Sequence, residues 1–224
     1  QNAPGPGATL EKQLLAETPA ALAAAARKTG DPRRGGILFY QPYMACTKCH
    51  DAGGQDKPLG PDMTKLDRDA TDVYVVESIL NPSKVIRKGF ESTQLVTVDG
   101  KVITALELKQ TPQGLSYRDV GQNGKLVTLA AKEIDERVVN KQSIMPAGLV
   151  NQLASRQQFL DLIRYLLEIS DGGPERAREL RPAASLYAAR PLPEYEKRID
   201  HAGMIGSLDR GSFQRGQEIY NRLC

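Results

Sequence analysis

Cys46-Thr47-Lys48-Cys49-His50 is the stretch on which the reading of this 224-residue chain turns. Cys-x-x-Cys followed at once by His is the attachment motif of a c-type haem. The chemistry dictates the spacing: two thiols add across the two vinyl groups of one porphyrin, and the adjacent imidazole sits beneath the iron as proximal ligand. A thioredoxin-like dithiol and half of a zinc site also use Cys-x-x-Cys. Neither needs a histidine directly after the second cysteine, and a zinc site needs further ligands. With three Cys and two His in the whole chain, a four-ligand zinc site would have to recruit His201, Cys224 or a carboxylate. One covalent haem c on Cys46, Cys49 and His50 is therefore the expected cofactor.

Working outward, 224 residues suffice for one domain or two small ones, and 25% charged with 40% hydrophobic residues reads as soluble and globular. The net charge of +3 is mild, and Lys and Arg alternate with Asp and Glu, so no nucleic-acid partner is expected. No run of 18 apolar residues exists, which excludes a transmembrane helix from the expectation. The chain begins at Gln1 without an apolar leader and reads as a mature exported protein or an excised segment. Haem attachment takes place outside the bacterial cytoplasmic membrane, so a periplasmic location is expected. Cys46 and Cys49 are consumed by haem and Cys224 is left over, so no disulfide framework is possible.

Apolar residues from Thr9 to Lys28 recur at helical spacing around Pro19, predicting one or two short helices. Asp31 caps and Pro32 opens a further helix that leads into the motif and carries Phe39 toward the porphyrin edge. After His50 the chain is loop through Gly60-Pro61, and Thr71 to Leu80 is helix, stopped by Asn81-Pro82. From Phe90 the period falls to two. Gln94 to Val98 and Lys101 to Leu108 are joined by Asp99-Gly100, a strong hairpin signal. Leu115 to Val120 and Lys125 to Leu129 form a second hairpin, and a fifth short strand runs through Glu136 to Val139. Helix returns as a short piece over Ala147 to Leu153, then as a longer one capped by Ser155 with an apolar stripe of Phe159, Leu160, Ile163, Leu166 and Leu167. Beyond Ser170, Gly172-Gly173-Pro174, Arg181-Pro182 and Arg190-Pro191-Leu192-Pro193 read as linker, so the first folded unit is expected to end near residue 170.

What fills the second face of the iron decides between electron transfer and chemistry. The candidates are Met44, Met63, Met145, Met204 and His201. Met44 is tethered two residues before Cys46, Met63 follows Pro61 closely and belongs with the proximal side or the haem edge, and His201 lies in the linker. Met145, ending a loop just before Pro146, is favoured. A neutral thioether favours ferrous iron and raises the potential, and a six-coordinate iron leaves no place for substrate.

In several motifs and in their order, the chain resembles class I c-type cytochromes. Arg34-Gly35-Gly36 with Phe39 is similar to the family's N-terminal helix, where a glycine permits close crossing with the C-terminal helix. Cys46, Cys49 and His50 match the thioether and proximal positions, and Gly60-Pro61-Asp62 resembles the loop whose proline carbonyl accepts the proximal imidazole Nδ1 hydrogen bond. Met145-Pro146, followed by a helix with Tyr165 and Leu166, is similar to the distal segment. Two departures, the 95-residue interval from His50 to Met145 and the extra residues between Gly36 and Cys46, resemble a haem-binding subfamily described from planctomycetes. The strings Glu77 to Lys84 and Val98-Asp99-Gly100-Lys101 agree with that subfamily. The resemblance implies a mainly α cytochrome c fold with an inserted small antiparallel β module (α+β). Residues 1–170 would be the cytochrome domain, with its insertion at about 90–140, and 171–206 a linker. Arg215 to Cys224 resembles the start of a second cytochrome helix, so 207–224 would begin a second domain of a longer multihaem protein.

The function expected is periplasmic electron transfer through a His50/Met145-ligated haem c, with a redox partner protein or an attached catalytic domain. Lys48, Lys57, Lys65, Lys84, Arg87 and Lys88 would supply a basic docking rim. The alternatives are a haem enzyme or a gas or redox sensor with a displaceable sixth ligand, and an electron-accepting accessory module of a larger periplasmic dehydrogenase. The chain has no Ser-His-Asp set, no phosphate-cradling Gly loop and no paired-His metal motif, so an enzyme would have to do its chemistry at the haem, and the expected six-coordinate iron favours an electron carrier over an enzyme without deciding between them.

Overall fold

The computed structural model describes residues 8–53, 58–66, 70–188, 200, 203 and 209–223. The chain divides into a compact unit from Gln1 to Ala188 and a second unit from Ala189 to Cys224. The first opens with α1 (Leu10–Leu15), α2 (Pro19–Thr29) and α3 (Pro32–Tyr40), each started by a side chain that satisfies first-turn N–H groups. Thr18 Oγ1 accepts from the Ala21 amide at 3.2 Å, and Asp31 Oδ1 accepts from Arg33 and Arg34 at 2.8 and 3.1 Å. Pro19 and Pro32 stand at first helical positions, where a missing N–H costs nothing. Two 3-10 turns, Pro42–Met44 and Cys46–Lys48, carry the chain through the cysteines. Helix α4 (Asp72–Leu80) is capped by Thr71 and ends at Asn81-Pro82.

Helix α5 (Arg156–Leu180) begins where Ser155 Oγ accepts from the Gln158 amide at 3.3 Å and Gln158 Oε1 accepts from the Ala154 amide at 2.8 Å. It crosses α3 at very close range. A β-carbon on Gly35 would stand 1.9 Å from the Asp161 carbonyl oxygen, so the two backbones meet where no side chain fits. Around this crossing lies the main core, including Leu14, Leu22, Phe39, Val76, Phe159, Ile163 and Tyr165. The helix bends at Gly173, whose φ of 65° interrupts it, and Pro174 restarts it as a first-turn proline would. Its last turns bury Ala177 and Leu180 in the same core. The boundary expected near residue 170 therefore falls inside this helix, because Gly172-Gly173-Pro174 makes a kink here rather than a linker.

Between α4 and α5 stands a five-stranded antiparallel sheet: β1 (Thr93–Thr97), β2 (Val102–Thr111), β3 (Gly114–Asp119), β4 (Lys125–Leu129) and β5 (Ile134–Val139). The strand order is β4-β3-β2-β1-β5. Leu95 pairs with Ile103 across β1 and β2, and β5 returns past the meander to pair with the free side of β1. Its chain entry and exit are fastened where Asn140 donates backbone and side-chain N–H to the carbonyl and hydroxyl of Ser92, both at 2.9 Å.

This sheet corrects the expected fold class. A mainly α cytochrome c fold with a small β insert does not describe the molecule, which is α+β. The sheet has its own apolar cluster of Leu95, Ile103, Ala105, Leu115 and Tyr117, separate from the helical core. The two hairpins are legible one at a time from their alternation. That β5 would close them into a single sheet with its own interior depends on pairing between β1 and β5, which lie about forty residues apart in the chain.

Among the described residues no helix is long and apolar enough to cross a membrane. In the second unit the described structure is mainly α6 (Arg210–Leu223), with Phe213 exposed. His201, Met204 and Cys224, and the linker positions Arg190 to Pro193, lie outside the described residues.

Candidate cofactor site

A cavity of about 300 Å³ opens beside the Cys-x-x-Cys-His turn, within the range of ligand pockets, and its lining is predominantly apolar. Cys46, Cys49, His50 and Pro61 line it, and so does Met145. The sequence-predicted site residues therefore converge on one cavity although 95 residues separate His50 from Met145. Phe39 forms part of the wall, as its place on α3 predicts.

His50 is fixed from behind. Its Nδ1 lies 3.0 Å from the Pro61 carbonyl oxygen, which can only accept, so Nδ1 carries the proton and Nε2 keeps its lone pair for a metal. Burial pushes the imidazole below its ordinary pKa against the opposing pull of that hydrogen bond, which keeps the ring neutral near pH 7. The loop approaches so closely that a β-carbon on Gly60 would stand 2.8 Å from His50 Cε1 and 2.9 Å from Nδ1. Only glycine leaves the ring where it is. The Gly60 amide in turn donates to the Cys49 carbonyl at 2.7 Å.

Burial raises the Cys46 thiol to about 11 and also pushes Cys49 up. Dithiol redox centres work the other way, with a thiol lowered by nearby positive charge or a helix N-terminus. Among the described residues no three His, Cys, Asp or Glu side chains are placed to share a metal ion; His201 and Cys224, which a zinc site would have to recruit, lie outside them.

Met44, Met63 and Met145 all reach the cavity. Met44 and Met63 are buried in the core, and the Met63 amide donates to the Asp51 carbonyl at 2.9 Å, which ties it to the His50 segment. Met145 is only partly buried, and its amide donates to Ser143 Oγ at 3.1 Å. The Ser143 amide donates to Ser83 Oγ at 3.0 Å, anchoring the Met145 loop to the turn after α4. Of the three, Met145 lies on the segment farthest along the chain from His50.

Sequence reasoning did not foresee the rest of the wall: Tyr74, Val75 and Ile79 of α4, with Val85, Ile86 and Phe90 after it. The helical spacing of the first three was the only available signal. Of the expected basic rim, Lys48 and Arg87 stand at the cavity and Lys88 is exposed, whereas Lys65 and Lys84 are paired with Asp62 and Glu77. Lys57 lies outside the described residues.

Two thiols one turn apart, a neutral imidazole directly after them, and a thioether from a distant loop around an apolar cavity form a donor set suited to a flat, apolar metal macrocycle. No protein-family model matches the chain, and no curated protein matches it.

Proposed function

We propose that this chain is an electron-transfer module of the c-type haem class, holding one covalent haem c between His50 and Met145, and that it works in the periplasm or an equivalent compartment. The observation that carries the reading is the His50 arrangement: a neutral imidazole whose Nδ1 is held by Pro61 at 3.0 Å, directly after two cavity-lining thiols. When bound, the haem supplies a one-electron couple. Cys46 and Cys49 would tether it, His50 Nε2 and Met145 Sδ would be its ligands, and Phe39, Val75 and Ile79, which line the cavity, would help to exclude water. Its predominantly apolar lining would keep reorganisation on electron transfer small. The half-exposed Val85 with Lys48 and Arg87 marks the mouth where a redox partner would approach.

Intact mass and absorbance of the chain, expressed with haem-attachment machinery, test the proposal. A mass one haem above the 24.5 kDa polypeptide and a low-spin ferrous spectrum are expected. An unmodified mass refutes it. Carbon monoxide separates the carrier from an enzyme or sensor: slow or absent adduct formation in the parent and fast formation in Met145→Ala are expected. Equal, fast binding in both would remove Met145 as ligand and favour the sensor.

A further inference from the structure

The proximal loop is held from two sides, and the second side is the sheet. Arg118 of β3 is buried, 6% exposed, and its Nη1 donates to the Pro58 carbonyl at 3.1 Å. The same nitrogen lies 3.0 Å from Glu107 Oε1, while Nε donates to the Gly124 carbonyl at 3.3 Å. A β-carbon on Gly124 would stand 2.6 Å from Arg118 Nη2 and 3.1 Å from Leu59 Cδ2, so the turn leaves just enough room for the guanidinium and the loop to meet. Glu107 sits where the β2–β3 register shifts between Leu106 and Lys109, with a φ of 51°. A non-glycine residue held in that region is strained, and such strain persists only where the surroundings enforce it. The bulge that creates it turns the carboxylate onto Arg118.

From Pro58 the chain needs only three more residues to reach the Pro61 carbonyl that fixes His50. Leu59 is buried at the cavity and Gly60 touches the imidazole, so a displacement at Pro58 has little slack in which to be absorbed. We infer that Arg118, oriented by Glu107, is a positioning residue that clamps the Pro58–Pro61 loop and thereby sets how firmly His50 is held. The sheet is then a tuning element of the site. The ligand role of His50 rests on the reading given under Proposed function; the clamp itself does not.

Hydrogen exchange of the Gly60 amide in the full chain tests the clamp. Arg118→Lys keeps the charge and loses the fork that reaches three oxygens at once. It is expected to speed exchange at Gly60 at least about tenfold, by opening the loop without unfolding the unit. Ile103→Val, in the sheet interior and away from the loop, is the control and should leave Gly60 unchanged. Should Arg118→Lys not fold, Glu107→Gln reads the same amide with a smaller rise. Parental exchange at Gly60 in the Arg118 and Glu107 variants overturns the clamp, and so does a rise matched by Ile103→Val. In the haem-loaded protein Arg118→Lys should raise the reduction potential, because a loosened Nδ1 hydrogen bond makes the imidazole a less basic ligand. An unchanged potential removes the tuning role. A parent chain that takes no haem removes the functional reading, while Gly60 exchange still decides the clamp.

Discussion

Replacing Gly35 by Ala adds one methyl group at the crossing of α3 and α5. The new β-carbon would lie 1.9 Å from the Asp161 carbonyl oxygen, 2.5 Å from its carbonyl carbon and 2.7 Å from Tyr165 Cβ. Ordinary contact between such atoms begins at roughly 3.4 Å, so the helices must part by on the order of 1.5 Å. The obstructing atoms belong mostly to backbone and cannot rotate away. Overpacking of this kind costs about 1–3 kcal/mol, and the upper end applies where two helix backbones are involved. Alanine's better helix propensity returns up to ~1 kcal/mol. The net loss should be about 2 kcal/mol, or a fall in Tm of roughly 4–8 °C for a unit of this size. Gly36→Ala is the internal comparison, since its β-carbon would meet the Leu180 carbonyl at 3.0 Å and the Tyr165 ring at 3.2 Å. There the propensity gain should nearly offset the crowding. Thermal unfolding followed by far-ultraviolet circular dichroism reads both. A Gly35→Ala protein as stable as its parent, or a Gly36→Ala protein that is the weaker of the two, refutes the crossing as the seat of the constraint.

Three further outcomes follow from other close contacts. Gly60→Ala must move the His50 ring or the loop by roughly 0.6 Å to restore ordinary contact, and should cost about 1–2 kcal/mol and lower haem incorporation; parental incorporation and stability would count against the close approach. Asp161 is buried, which by itself raises its carboxyl, yet hydrogen bonds from Arg34, the Asp31 amide and Gln157 outweigh that and hold it below the ordinary carboxylate range. Its contribution is therefore complete above about pH 4 and is lost as pH falls through the lowered value. In Asp161→Asn the acid limb of denaturation, measured by urea titration at several pH values, should flatten by up to about one proton, and an unaltered slope would contradict the assignment. Ser155→Ala removes the cap of α5 and should cost about 1 kcal/mol in urea unfolding, against none if the Gln158 contact at Ala154 suffices alone.

Much of the local structure is written in single residues. Asp31-Pro32, Thr71 and Ser155 start helices because their side-chain oxygens answer first-turn amides, and Asp99-Gly100 turns a hairpin, so each can be read without knowing the fold. The candidate site residues could be nominated in the same way. Cys46, Cys49 and His50 lie within five residues, and Met145 could be singled out by weighing the few other sulfur and imidazole donors. The glycine-helix crossing expected from the Arg34-Gly35-Gly36 resemblance also has its counterpart in the contact between Gly35 and Asp161.

By itself, then, the sequence determined most of the elements, their caps and the loop that supports His50, because these depend on neighbours a few residues apart. The tertiary structure alone decided that β5 pairs with β1, that the strands form a sheet with its own interior, and that α5 runs through Gly173 to bury Ala177 and Leu180. It alone decided that Arg118 reaches the Pro58 carbonyl, 60 residues away in the chain. Those contacts join positions far apart along the chain, and no local periodicity encodes which distant partner a strand edge, a helix end or a guanidinium will meet.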